Sequence, residues 1–136
     1  MDDFFKFGQS IFNAQPFSQL LGAVLTQFEK GKAEITLNIF DKILQQHGFV
    51  SGGAISYLAD NALTFAGGSV LGDSVTVEYK INYLKPAVGE KLVARATVMS
   101  SGRTQAVCEC KIYSVNQQQE EKLVAAAQGT IVATRK

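Results

Sequence analysis

The chain has no tryptophan, one histidine (His47), two cysteines (Cys108 and Cys110) and two prolines in 136 residues. It also lacks an excess of charge, since thirteen Lys and Arg against twelve Asp and Glu leave a formal net charge of +1. No strong field of either sign is available to attract a polyanion, so nucleic acid is not an expected partner. Apolar stretches are short and interrupted, which excludes a spanning helix, and 46% hydrophobic residues exclude a disordered chain. The first residues, Met1, Asp2, Asp3, Phe4 and Phe5, carry no basic segment of the kind that opens an export signal, and the expected location is the cytoplasm.

The two cysteines lie two apart in a strand-like segment and share a face. Their Cα atoms would be about 6.6 Å apart, near the upper limit of disulfide geometry. They read as reduced core thiols, with redox sensing or metal binding as the alternative. A four-ligand zinc site would need carboxylates from elsewhere, because there is only one histidine.

What is present is one domain's worth of alternating signals, expected to be a single domain over residues 1–136. Asp2 to Asn13 carries Phe4, Phe5, Phe7, Ile11 and Phe12 at mixed spacings and fits a short helix capped by Asp2 or Asp3. Pro16 interrupts, and Phe17 to Leu21 reads as a helical turn closed by Gly22. Val24 to Phe28 and Ala33 to Ile39 alternate around the turn Glu29, Lys30, Gly31, Lys32, which predicts a hairpin. Ser51 to Ala66 changes to spacings of three and four, is apolar around most of its circumference, and predicts a buried helix stopped by Gly67 and Gly68.

Four strand signals follow: Val75 to Tyr83, with Val75, Val77, Tyr79, Ile81 and Tyr83 on one face, then Leu92 to Met99, Thr104 to Val115 and Leu123 to Thr134. The polar run Asn116 to Glu121 separates the last two as an exposed loop. Consecutive strands after one central helix imply an α+β fold, a single sheet wrapped around that helix.

The chemically informative stretch is HGFVSGGAISYLADNALTFAGG, residues 47–68. Gly52 and Gly53 stand at the helix start, where unpaired N–H groups and the dipole favour developing negative charge. Asp60 interrupts the apolar helix, and must be hydrogen-bonded, paired or in contact with water. An oxyanion donor plus a carboxylate base or nucleophile is a hydrolytic pair. A Gly-Gly start is, however, more often a tight turn, and a helical aspartate is more often exposed or paired. Residue types alone leave both readings open. No GxSxG elbow is present for a serine hydrolase, and Ser56 lies within the helix. Phe49, Tyr57, Phe65 and Tyr83 could line a pocket or belong to the core.

SGGAISYLADNALTFAGG, followed by VTVEYKINYLKPAVGEKLVARATVMSSGRTQAVCECKIY, resembles the hotdog-fold acyl-CoA thioesterases of the PaaI-like phenylacetate-degradation type, from about residue 17 to the end. The shared pattern is the Gly-Gly helix start, an aspartate seven residues after the second glycine, a Tyr-x-x-Pro strand end and a Gly-Arg strand turn. The resemblance implies an antiparallel sheet of about five to six strands around a long central helix; residues 1–21, read above as helical, are expected to pack on it. It implies that the Gly52 N–H polarises a thioester carbonyl, that Asp60 activates water or attacks directly, and that Thr76 and Gln45 help to position the water and thioester. Gly53, Ser51 and His47 fall beside the substrate; Arg103, Lys80 and Lys85 are candidates for the phosphates of coenzyme A, or else solvated charges.

Relatives commonly carry histidine where this chain has Ser51, and His47 is either its replacement from the loop or a plain loop residue. The implied substrate is an acyl-CoA, with no metal and no cofactor beyond the coenzyme A of the substrate. The implied assembly is a homodimer pairing into a homotetramer, the site lying across the dimer interface. Alternatives are a non-catalytic acyl-CoA binder and a hydroxyacyl-thioester dehydratase or hydratase.

Overall fold

The structure is a computed structural model and describes residues 2–134, so Met1, Arg135 and Lys136 of the expected 1–136 domain lie outside the described residues. Helix α1 (Asp3–Asn13) starts where the Asp2 carboxylate accepts from the Phe5 N–H at 2.7 Å, one of the two caps expected. It buries Phe5, Gly8 and Phe12, at helical spacing, against strand β1. Helix α2 (Pro16–Leu21) has proline at its first position and ends on Gly22 in the left-handed conformation, φ 78°, where glycine carries no steric penalty.

Strands β1 (Val24–Glu29) and β2 (Lys32–Asn38) form the expected hairpin, and a short 3₁₀ turn at Asp41–Ile43 leads into the loop before α3. Helix α3 (Gly52–Leu71) is the centre of the molecule. Strands β3 (Ser74–Tyr83), β4 (Lys91–Ser101), β5 (Gln105–Val115) and β6 (Glu121–Ala133) complete one antiparallel sheet in the order β1-β2-β4-β5-β6-β3. This is the α+β hotdog arrangement, with six strands wrapped around α3. Among the described residues, no helix is long and apolar enough to cross a membrane.

The expected end of α3 is wrong. The helix does not stop at Gly67 and Gly68 but runs one turn further, to Leu71, with Gly72 as its C-cap. Gly67 serves contact instead: a Cβ built there would stand 2.7 Å from Ile131 Cβ, so β6 can approach the helix backbone only because position 67 has no side chain. Along the same helix Leu58, Ala59, Ala62, Leu63 and Ala66 are fully buried. Each of the two leucines contributes roughly 1.5–3 kcal/mol by leaving water. Ala59 and Ala62 are therefore used up in the protomer's own core, and Ala54 is left half-buried.

β3 also departs from the simple alternation. Its pairing with β6 shifts register between Thr76 and Glu78, so Val77 and Glu78 both face outward and the inward side changes from Thr76 to Tyr79 and Ile81. Val75 and Val77, expected to share a face with Tyr79, are half exposed. Although β3 precedes β4 in the chain, it crosses to the far edge of the sheet, where among the described residues it pairs with β6 alone. On β5, Ala106, Cys108, Cys110 and Ile112 do share the buried face. Both thiols are free, and burial raises them to about 11 for Cys108 and about 12 for Cys110. Among the described residues no three His, Cys, Asp or Glu side chains converge, so these sulfurs have no companions for a metal site.

Candidate active site

The start of α3 is built by the loop before it. The Gln45 N–H donates to Phe49 O at 2.8 Å and the Gly48 N–H to Gln45 O at 3.0 Å, while Gln45 Oε1 accepts from the His47 N–H. The Ser51 N–H donates to Ile43 O at 2.8 Å, and Ser51 Oγ accepts from the Gly53 N–H at 3.2 Å as the helix N-cap. That leaves the Gly52 N–H, at the first helical position, without an acceptor among the described residues, as helix geometry requires of a first-turn donor. Tyr83 Oη donates to Gly52 O at 3.1 Å and fixes the peptide from the other side. A cavity of about 300 Å³ opens here, lined by Gln45, Phe49, Gly52, Ile55, Tyr83 and Lys85.

Two turns along, Asp60 is half-buried and meets β3. Thr76 Oγ1 donates to Asp60 Oδ1 at 2.7 Å. Thr64, one turn later on the helix, donates to the Asp60 carbonyl at 2.8 Å and lies 2.5 Å from Thr76 Oγ1. Ser56 and Tyr79 join their hydroxyls one turn earlier, so α3 is tied to the edge strand on both sides of the carboxylate. Asp60 Oδ2 has no partner among the described residues, and the carboxylate lines a cavity of about 440 Å³ together with Gln15, Phe17, Tyr57 and Thr64.

The far wall of that cavity comes from the segment between α1 and α2. Asn61 Nδ2 donates to Gln15 Oε1 at 2.9 Å and to Tyr57 Oη at 3.2 Å, and Ser18 Oγ donates to Gln15 Oε1 at 2.6 Å. Burial raises the Tyr57 hydroxyl above its ordinary value, opposed by its hydrogen bonds to Ser18 and Asn61. The network is closed: among the described residues no buried side-chain nitrogen or oxygen lacks a partner.

The structure thus brings Gln45, Gly52 and Lys85 together, and separately Asp60 and Thr76. The two groups are eight residues apart on α3, about 12 Å along its axis. Gly53 spends its N–H on Ser51, whose hydroxyl is occupied in return. His47 is exposed on the loop and stacks on Phe49, with ring centroids 6.4 Å apart. Lys80 points to the outer face of β3, away from Asp60. Arg103 lies in the β4–β5 turn, at the end of the sheet where Gln105 pairs with Val132, opposite the end where β3 leads to Lys85. Sequence reasoning missed Thr64, Gln15 and Asn61, none of which carries a local signal.

The sequence profile of the thioesterase superfamily matches residues 47–121, a span that includes Gly52, Asp60 and Thr76. The chain belongs to this superfamily. It is 32% identical over 113 residues to the acyl-coenzyme A thioesterase PaaI of Escherichia coli, covering 82% of this chain and 78% of that protein. The solved structure of E. coli PaaI superposes with a TM-score of 0.83 over 96% of this chain and 92% of the other, at 26% identity. A 1,4-dihydroxy-2-naphthoyl-CoA hydrolase of Listeria monocytogenes is 28% identical over 121 residues, 87% of this chain and 95% of that protein. A Streptococcus mutans protein solved with bound acetyl-CoA is 34% identical with a TM-score of 0.71, covering 82% of this chain and 88% of that one. The thioesterase is therefore PaaI-like and a thioester hydrolase, and its hotdog fold is that expected from the Gly-Gly, Asp and Tyr-x-x-Pro pattern.

Proposed function

We propose that this thioesterase hydrolyses acyl-CoA thioesters to the free acid and coenzyme A, with Asp60 as base or nucleophile and the Gly52 N–H as oxyanion donor. The observation that carries the reading is Asp60, whose carboxylate is held through one oxygen by Thr76 at 2.7 Å and which lines a cavity. Acting as base, it takes a proton from water as the water oxygen attacks the thioester carbon. Acting as nucleophile, it forms an anhydride that water then opens. In both cases the carbonyl oxygen gains charge, the C–S bond breaks, and the sulfur leaves as the coenzyme A thiolate and takes up a proton.

Gly52 and Asp60 of one chain are too far apart to act on one carbonyl, so the reading requires a homodimer in which each site takes Gly52 from one subunit and Asp60 from the other. The edge strand β3 supports it: its outer edge is unpaired and carries half-exposed Val75 and Val77, and an edge of this kind invites a second copy. Pairing of dimers into a homotetramer in the cytoplasm completes the proposal. Lys85, beside Gly52, is the cation best placed for a coenzyme A phosphate; Arg103 and Lys80 would serve only from a neighbouring subunit. Gln45, its oxygen held by the His47 N–H and its Nε2 3.5 Å from His47 Nδ1, would offer the remaining N–H of its amide to the thioester.

Release of free thiol from a panel of aliphatic and aromatic acyl-CoAs tests the reading, with Asp60→Ala beside the wild type. Loss of turnover with retained fold is expected, and an unchanged rate removes Asp60 from the chemistry. Ser51, occupied as a helix cap where relatives commonly have histidine, favours a second reading, an acyl-CoA binder without turnover. Calorimetric binding without thiol release from any substrate would establish it. Nothing favours a dehydratase, since His47 stacks on Phe49 at the helix start rather than beside Asp60.

A further inference from the structure

A cavity of about 580 Å³ lies between α1 and the C-terminal half of α3. Phe4, Phe7 and Ile11 form one wall, and Phe65, Gly68 and Val70 the other. Gln15 and Thr64 stand at one end, and the same two residues line the Asp60 cavity, so the two spaces adjoin. From Thr64 to Gly72 the α3 wall runs eight residues, about 12 Å, which makes an elongated slot rather than a round pocket.

Three of the polar side chains along its walls are already hydrogen-bonded, and Ser74 adds one small hydroxyl. Ser69 Oγ donates to Ala66 O at 2.6 Å and accepts from the Gly31 N–H at 2.8 Å. Gln15 is engaged with Asn61 and Ser18, and Thr64 with the Asp60 carbonyl. Charge is carried only by Lys30 and Asp73. Meanwhile Phe7 is 61% and Ile11 47% exposed, so α1 turns large apolar side chains toward a space whose lining is mostly apolar. On the opposite wall Gly68 has no side chain, and a Cβ there would stand 3.2 Å from Ser74 Oγ, also on the lining.

We propose that this slot receives the acyl chain of the substrate, and that the preferred thioesters carry long linear aliphatic acyl groups. The inference rests on the reading of Asp60 as the hydrolytic carboxylate, because it is the shared Gln15–Thr64 end that would let a chain pass from the reacting carbonyl into the slot. Burial of each methylene is worth up to about fourfold in kcat/KM.

The test is a series of butyryl-, octanoyl-, dodecanoyl- and phenylacetyl-CoA with wild type, Ile11→Trp and Gly68→Leu, which fill the slot from opposite walls. In the wild type kcat/KM is expected to rise along the linear series and to exceed that for phenylacetyl-CoA. Either variant, checked for fold by circular dichroism, is expected to lower the dodecanoyl-to-butyryl ratio by about tenfold or more. A flat series, a preference for phenylacetyl-CoA, or variants that lower all substrates equally would overturn the proposal while leaving Asp60 hydrolysis standing. So would a change of oligomeric state in Ile11→Trp with the ratio unchanged, since the face would then belong to an interface between copies. If the wild type released thiol from no substrate, the hydrolase reading would fail. Calorimetry of dodecanoyl-CoA against coenzyme A would still decide the slot, with binding about tenfold weaker in Ile11→Trp supporting it and equal binding overturning it.

Discussion

Thr76 Oγ1 donates to Asp60 Oδ1 at 2.7 Å, and it faces the helix at all because β3 carries a bulge one residue later. In an unbroken strand Thr76 and Tyr79, three apart, would lie on opposite faces. Here both point at α3, Thr76 to Asp60 and Tyr79 to Ser56. One extra residue in an edge strand thus supplies two hydroxyls to one helix face, and the carboxylate between them is oriented rather than merely tolerated.

Removing that donor should cost turnover. Thr76→Val keeps the shape and deletes the hydroxyl, and a hydrogen bond to a charged group is worth about 1.5–3 kcal/mol, so kcat is expected to fall roughly ten- to a hundredfold with little change in KM. Thr76→Ser should recover most of the loss. Steady-state kinetics on one good substrate measure both, and a valine variant with wild-type kcat would show that Thr76 only packs.

The proposed role of the Gly52 N–H can be tested by deleting a single hydrogen-bond donor. Gly52 is the first residue of α3, where proline is tolerated, and Ser51 has φ −57° and ψ 137°, the conformation required before proline. A Cβ at position 52 would meet the Tyr83 ring at 3.4 Å, an ordinary contact. Gly52→Pro should therefore fold yet lose about 10²–10³ in kcat, while Gly52→Ala, which keeps the N–H, should lose far less. Equal losses in the two variants would mean that the space, not the donor, matters.

A site shared between subunits makes a prediction that a site within one chain does not. Asp60→Ala and Gly52→Pro are each expected to be inactive as homodimers. Unfolded together and refolded as a mixture, half of the dimers are mixed, and each mixed dimer has one site with both groups intact. About a quarter of wild-type activity should return. No return would place both groups of each site in one chain, or neither in it.

The hairpin, the central helix and the later strands were all legible, because each rests on local periodicity: Ala33, Ile35 and Leu37 alternate, and Ile55, Leu58, Ala62 and Phe65 recur at helical spacing. Asp60 and Gly52 stood out for a related reason, a lone charge in an apolar helix and a glycine pair at its start. Features set by distant contacts were not legible. Gly67 reads as a stop, yet it is an approach point for Ile131, sixty-four residues later. The bulge at Thr76 leaves no mark in an alternation that looks regular, and the place of β3 beside β6 rather than β4 depends on the whole sheet. The network of Gln15, Ser18, Tyr57 and Asn61 joins residues 39 to 46 positions apart, so no window of sequence contains it.

The two buried thiols predict how stability depends on pH. Cys108 and Cys110 are buried, free and pushed up to about 11 and about 12 by loss of solvation. In the unfolded chain they ionise near 8.5. Above that pH the native state holds protons that the unfolded state has released, so stability must fall as pH rises, and the fall continues until the native thiols themselves ionise. The contribution is complete below about pH 8.5 and declines from there toward about pH 12. Urea denaturation at about pH 8 and about pH 10.5 should show the loss. Tyrosines and lysines titrate in the same interval, so the informative quantity is the difference from a Cys108→Ala, Cys110→Ala chain. That chain is less stable at both pH values because of the cavities it creates, but it should lose less between them. If both proteins lose the same amount, the thiols are solvated in the native state and the inner face of β5 is looser than its packing indicates.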